Sequence, residues 1–236
     1  MNEIFIKQLI NDYHIPKRIL GKKDHIFTVN EVNNTFSFRN SSDLSIFISH
    51  GRIFLRSDDR DLVGVLRDEY KSYPGQWFAE VANMDRLARV LEDFSMKIDN
   101  VYPLLTTRDD FKRAKAYSFK RIEKDQIKDF KGLSVHCFLF NNDDKLALAY
   151  YDKGKLLALG GTSYDGLFTD EIGVEKFTND HKGLATALVN ELAYLTLREN
   201  DQVCPIYTTQ FSHSQSINLA MRAGFEMNMA ISASRK

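Results

Sequence analysis

An α+β fold is predicted for this chain: a mostly antiparallel twisted sheet with flanking helices, preceded by a smaller α+β N-terminal domain. Three observations predict it. Apolar runs of strand length recur after residue 130, separated by hairpin-sized gaps rich in turn residues. Leu184, Leu188, Leu192 and Leu195 then fall on one face of a helix between Gly183 and Glu199. A shorter helix, about Ser214 to Ala223, is closed by Gly224 and leads into a last apolar run, Phe225 to Ser232.

In the N-terminal part, Phe5, Leu9 and Ile10 share a helix face. The alternation of Leu44, Ile46 and Ile48, then Ile53 and Leu55, predicts a hairpin turning near Gly51 with one buried face. Met84, Leu87, Val90, Leu91 and Phe94 are spaced as on a helix. The stretch TTRDDFKRAK, from Thr106 to Lys115, is charged and poor in large apolar residues. It suggests a boundary between domains at 1–110 and 111–236. After it come four expected strands, Leu133 to Phe140, Leu146 to Tyr151, Leu156 to Ser163 and Phe168 to Glu175, forming an antiparallel meander. A further β-like run, Val203 to Thr209, lies between the two late helices.

Composition narrows the function classes. Among 236 residues, 43% are hydrophobic, and 32 Lys and Arg balance 32 Asp and Glu. No global field draws such a chain to nucleic acid or an anionic membrane, so neither is an expected partner. Cys137 and Cys204 are the two cysteines. Both read as small core residues, which fits a reducing compartment and speaks against a disulfide scaffold or a zinc site. No run approaches the roughly 18 apolar residues of a membrane span. A cytoplasmic protein is the expectation, and its oligomeric state is unreadable.

The chemistry sits at the junction from Phe168 to Glu175 through TNDHKG to the helix opening LATALVNELA. A glycine at a strand-to-helix turn lets backbone approach a ligand, and the N–H groups of the helix's first turn attract phosphate oxygens. Many α/β proteins begin a helix this way with no ligand there.

Taken with its surroundings, the segment resembles the GNAT N-acetyltransferase superfamily. That family's pyrophosphate loop reads Arg or Gln, two residues, Gly, one residue, then Gly or Ala; Asp180-His181-Lys182-Gly183-Leu184-Ala185 occupies this frame. Gly183 to Val189 is similar to the opening of the family's central helix. Ser216 to Phe225 resembles its late helix, which ends in Gly-Phe before the final strand, and Leu146 to Phe177 resembles its meander. The resemblance runs from Tyr117 to Lys236. It implies acetyl-CoA as co-substrate, an amine acceptor and no metal. The cofactor would lie against Gly173 and Val174, the turn and helix start from His181, Lys182, Gly183 and Leu184 to Ala185 and Thr186, and Ser216. Three positions depart from the pattern: Asp180 replaces Arg or Gln after a turn about one residue short, His213 stands where many members have Asn, and Ala220 stands where many carry a tyrosine that protonates the leaving thiolate.

Acetyl transfer needs a neutral amine and hence a base. Glu171 and Glu175 are the candidates, on one strand face with Gly173, which could open room for substrate. Glu171 is preferred because it lies near the strand start, as the catalytic glutamate of several family members does. The bland alternative is a pair of solvated carboxylates. His213 is a further candidate acid, base or cofactor contact, and alternation lets only part of Tyr207-Thr208-Thr209 face an acetyl group. The Asp58, Asp59, Asp61 cluster reads as a solvated turn and the Tyr70 to Phe78 aromatics as core. The basic stretch Lys112 to Arg121 only loosely resembles a nucleic-acid strip. Against the enzyme stands a second reading, a non-catalytic acyl-CoA-binding or protein-interaction module on the same scaffold.

Overall fold

The computed structural model describes residues 2–20 and 22–236. Its helices are α1 (Glu3–Tyr13), α2 (Lys17–Leu20), α3 (Arg60–Tyr70), α4 (Val81–Asp93), α5 (Leu184–Glu199) and α6 (Ser214–Arg222). Its strands are β1 (Ile26–Val29), β2 (Leu44–Ser49), β3 (Arg52–Ser57), β4 (Met96–Thr107), β5 (Lys120–Ile122), β6 (Asp144–Asp152), β7 (Lys155–Gly166), β8 (Thr169–Lys176), β9 (Cys204–Thr208) and β10 (Phe225–Arg235). They form two compact units that are discontinuous in sequence. One comprises Ile6–Leu104 with Met227–Lys236, and the other comprises Leu105–Glu226 with the chain start through Phe5.

In the unit of Ile6–Leu104, the strand order is β1-β3-β2-β10-β4. The β2/β3 hairpin turns at His50 and Gly51, both at positive φ (50° and 75°). That pairing of angles gives the mirror-image turn matching the strand twist. Leu44, Ile46, Ile48, Ile53 and Leu55 pack against α3 through Leu62 and Leu66 and against α4 through Leu87 and Leu91. Ile231 of β10 lies opposite Ile46 and joins this core. The other face of the hairpin is buried as well. Arg56 is fully buried there and donates to the carbonyls of Asn40 (2.6 Å) and Ser42 (2.9 Å).

The N-terminal motifs resolve into structural roles. Asp59 caps α3, accepting from the backbone N–H groups of Asp61 and Leu62 at 3.0 Å each, and Asp58 pairs with Arg235 at 2.8 Å. Tyr70 and Phe78 are core rings 4.8 Å apart, while Trp77 is 54% exposed.

In the unit of Leu105–Glu226, the order is β9-β8-β7-β6-β5, antiparallel except for the parallel β8/β9 pair. Leu184, Leu188 and Leu192 of α5 pack on Leu148, Ala158 and Ile172 of the sheet. The three expected strands between Leu146 and Glu175 are present as β6 to β8. The expected strand at Leu133 to Phe140 is not: those residues form turns and irregular backbone, and the short β5 takes the place beside β6. Leu133, Val135 and Leu139 point outward while Cys137 and Phe138 are buried, so the apolar run came from a loop anchored at two points rather than from a pleat. The basic stretch is spent locally: Arg113 forks onto Glu191, and Arg121 pairs with Glu199.

Candidate functional site

The parallel pair β8/β9 sets the geometry of the site. Thr169, Asp170 and Glu171 lie opposite Cys204, Pro205 and Ile206, and there the register ends. From Ile172 to Lys176, β8 continues beside β7 alone among these neighbours. An opening begins after Glu171, with one backbone edge of β8 available to an extended ligand.

The residues just past this point, Tyr207 and Thr208 of β9 and Thr209 after it, each tether one candidate side chain. Tyr207 shares a hydrogen bond with Ser216 (2.8 Å). Thr208 donates its hydroxyl to the Glu171 carboxylate. Thr209 lies 3.3 Å from the Nδ1 of His213, which caps α6 without a side-chain cap bond. Glu171 and Ile206 are register partners, so Glu171 and Thr208 share one sheet face while Tyr207 turns to the other, beside Ile172 and Ala220 in the core under α5 and α6. Burial pushes the Tyr207 phenol above its ordinary value, and the Ser216 bond partly offsets the rise.

Glu175 and Gly173 are placed differently from what their strand face suggests. Gly173 lies opposite Gly161 of β7. A Cβ at 173 would sit 2.0 Å from the His136 carbonyl oxygen, and one at 161 would sit 2.1 Å from the Phe138 ring. The paired glycines form a flat floor on which His136 to Phe138 rests. The room at Gly173 is therefore filled by the chain itself, because the absent side chain admits backbone. Glu175 anchors this segment, accepting from the Val135 N–H at 3.2 Å. Of the two carboxylates, Glu171 is the one at the opening.

At the other end of β8, the turn to α5 is clamped. His181 has φ 59° and Gly183 φ 82°, both left-handed. The His181 ring lies 5.5 Å from Tyr150 and 6.5 Å from Tyr117, its Nε2 is 3.7 Å from Asp152, and the Tyr117 hydroxyl donates to the Lys182 carbonyl (3.0 Å). Tyr117, Tyr150 and Asp152 were not singled out from the sequence; they lie 29 to 64 residues before His181, and no local spacing links them. Lys182 and Asp180 are exposed. The Leu184 side chain is buried and its N–H donates to the His181 carbonyl (3.2 Å), while Ala187 N–H is taken by Gly183 O (2.9 Å). Among the described residues, no acceptor outside the helix takes the N–H groups of Ala185 and Thr186. A Cβ at Gly183 would meet nothing within 4 Å, so the approach to this first turn is open. These groups fit a pyrophosphate.

Meander, parted strands, glycine-initiated helix and a late helix running through Gly224-Phe225 into β10 occur in the order that the GNAT resemblance implies. The unit of Leu105–Glu226 has a GNAT-like fold. No family model matches the chain, and no curated protein matches it in sequence. Among solved structures, it is similar to an acetyltransferase of the GNAT family from Colwellia psychrerythraea (15% identity, TM-score 0.47, 66% of this chain and 63% of that one). It is also similar to a GCN5-related N-acetyltransferase from Kribbella flavida (12%, 0.42, 61% and 62%). A third likeness is to a GCN5-related N-acetyltransferase-like protein from Streptococcus suis 89/1591 (14%, 0.42, 96% and 98%). The chain thus spans less than two thirds of the first two. At these scores the likenesses assign no activity.

Among the described residues, no helix is long and apolar enough to cross a membrane, and no three His, Cys, Asp or Glu side chains gather as a metal site would need.

Proposed function

We propose that this chain is an N-acetyltransferase that uses acetyl-CoA as co-substrate and a primary amine as acceptor. The observation that carries the reading is the parting of β8 from β9 directly after Glu171, with an open helix N-terminus at the far end of β8. Acetyl-CoA, when bound, supplies an activated acetyl group on a thiol leaving group. The backbone at Gly183, with the Ala185 and Thr186 N–H groups and the exposed Lys182, would hold its pyrophosphate. The unpartnered edge of β8 near Val174 would take the amides of its extended arm. Glu171 accepts the proton of the attacking amine, and the Thr208 hydroxyl orients that carboxylate. With His136 to Phe138 lying over the glycine floor, the acceptor approaches from the Glu171 end.

Titration of the protein with acetyl-CoA by calorimetry, followed by thiol detection across a panel of amines, tests this reading. Micromolar binding together with acceptor-dependent thiol release supports it; absence of both refutes it. The exposed Asp180 beside the helix start and the covered Gly173 favour a second reading, a module that binds acyl-CoA without turnover. Binding without thiol release for any amine would select that one.

A further inference from the structure

We propose that Tyr117 is a positioning residue for the pyrophosphate of CoA: its hydroxyl holds the peptide between Lys182 and Gly183 so that an N–H, and not a carbonyl, is turned to the phosphates. The inference deepens the acetyltransferase reading and rests on it. Residue 180 creates the need. Where the GNAT resemblance implies Arg or Gln, this chain carries an exposed aspartate, whose charge repels a phosphate. The cradle is therefore left to backbone donors. Gly183 joins Ala185 and Thr186 in this role, because among the described residues no backbone acceptor takes its N–H either.

A cradle made of backbone depends on which way each peptide faces. In a trans peptide the C=O and the N–H point in opposite directions. The Lys182 carbonyl accepts from the Tyr117 hydroxyl at 3.0 Å, so the Gly183 N–H points away from Tyr117. Rotation of that single peptide plane would exchange the two groups and set a carbonyl oxygen before the phosphates. The turn's own residues do little to prevent it: Gly183 has no side chain, a Cβ there would meet nothing within 4 Å, and the Lys182 side chain is exposed. The hydroxyl of a residue 65 positions earlier supplies the constraint.

Tyr117 is itself held in place. Its ring lies 5.3 Å from Tyr150 of β6 and 6.5 Å from His181, and Tyr150 also meets His181 at 5.5 Å and Phe119 at 6.2 Å. Tyr150 thus carries both Tyr117 and His181 on the sheet. His181 keeps a φ of 59°, which strains a residue with a side chain, and these ring contacts, with Asp152 3.7 Å from its Nε2, offset that cost. The result is a donor set arranged before the ligand arrives, which spares the binding step the cost of ordering the turn. Tyr117 neither touches the reacting atoms nor moves a proton; it acts through the 182–183 peptide.

Acetyl-CoA is the probe, so no acceptor is required, and Tyr117→Phe removes the hydroxyl while keeping the ring that packs on Tyr150 and His181. Calorimetry gives the affinity of each protein, and the Gly183 amide resonance, followed by nuclear magnetic resonance up to saturation, reports where that N–H points. In the wild type the Gly183 amide proton is expected to move downfield as it bonds to a phosphate oxygen. In Tyr117→Phe the affinity should be about threefold to tenfold weaker, with a smaller Gly183 shift at saturation. Either readout unchanged in the variant would overturn the inference: weaker binding with the full Gly183 shift would make Tyr117 a packing residue, as would a variant whose spectrum shows that it does not fold. A Gly183 amide unmoved by acetyl-CoA in a wild type that binds it would also overturn the inference and leave the acetyltransferase reading standing. Failure of the wild type to bind acetyl-CoA would instead remove that underlying reading.

Discussion

Thr208 donates its hydroxyl to the Glu171 carboxylate across the point where β8 and β9 part. The bond connects Glu171, the last register partner on β8, with Thr208 at the end of β9. Glu171→Gln keeps an acceptor for Thr208 and removes the proposed base. Turnover with a competent amine should fall by roughly a hundredfold or more, with CoA affinity nearly intact. A variant with full rate and a wild-type pH–rate profile would show that Glu171 is not the base.

Gly173 and Gly161 face each other beneath His136 to Phe138. Gly173→Ala drives a methyl into the His136 carbonyl, 2.0 Å from the ideal Cβ position, so the segment must lift. A loss of about 1–3 kcal/mol is expected, seen as a lower melting temperature, with faster hydrogen exchange at Val135 as its bond to Glu175 weakens. Unchanged exchange at Val135 would mean that the floor does not hold the loop.

Much of this site was legible in the sequence, and the remainder fails to show for identifiable reasons. Leucine spacing marked α5, and Gly183 at φ 82° confirms the glycine at its start. Alternation placed β2 and β3, and apolar runs of strand length between turn residues placed β6 to β8. The run from Leu133 to Phe140 misled because it is mostly apolar and of strand length, yet only the adjacent Cys137 and Phe138 among its apolar residues are buried, while Leu133, Val135 and Leu139 are exposed in irregular backbone. Gly173 read as an opening because a sequence shows the missing side chain and not the backbone that occupies its place. β4 passed unnoticed: its first half, Met96 to Val101, is mostly polar or partly exposed, and its buried end merges into charged residues. The Tyr117, Tyr150 and Asp152 clamp on His181 is a contact of distant segments, which no local spacing reveals.

Asn190 is buried on α5 and ties three backbone groups together. It accepts from Ala114 N–H (2.7 Å) and donates to the Lys112 and Ala223 carbonyls (2.9 Å each). Asn190→Ala leaves these groups short of a partner and should cost about 3 kcal/mol in denaturant unfolding. A loss below about 0.5 kcal/mol would show that water takes over all three bonds.

Both cysteines are buried, and burial pushes each thiol from 9.0 up to about 12. At pH 8 the folded protein then holds only about one thiolate in ten thousand thiols. A disulfide reagent should leave both unmodified until the chain unfolds, which also makes the protein silent in a thiol-release assay. The folded state binds these protons more tightly than the unfolded state does. This contribution to stability is therefore complete below pH 9 and lost progressively as pH rises toward 12. Rapid labelling of either cysteine in the native protein at pH 8 would contradict the buried placement.

The opening between β8 and β9, together with the first turn of α5, is the proposed CoA site. Calorimetric titration with acetyl-CoA of the wild type beside Gly183→Asp tests it most directly. Aspartate is among the few residues that visit the left-handed region, at some cost in strain, and its Cβ would enter open space; a melting curve checks that the variant folds, and it presents a carboxylate where the phosphates would lie. Micromolar binding by the wild type and at least a tenfold weaker affinity in the variant are expected. Equal affinity in the two proteins would place CoA elsewhere, and no binding by the wild type would mean that the opening and the helix start form no CoA site.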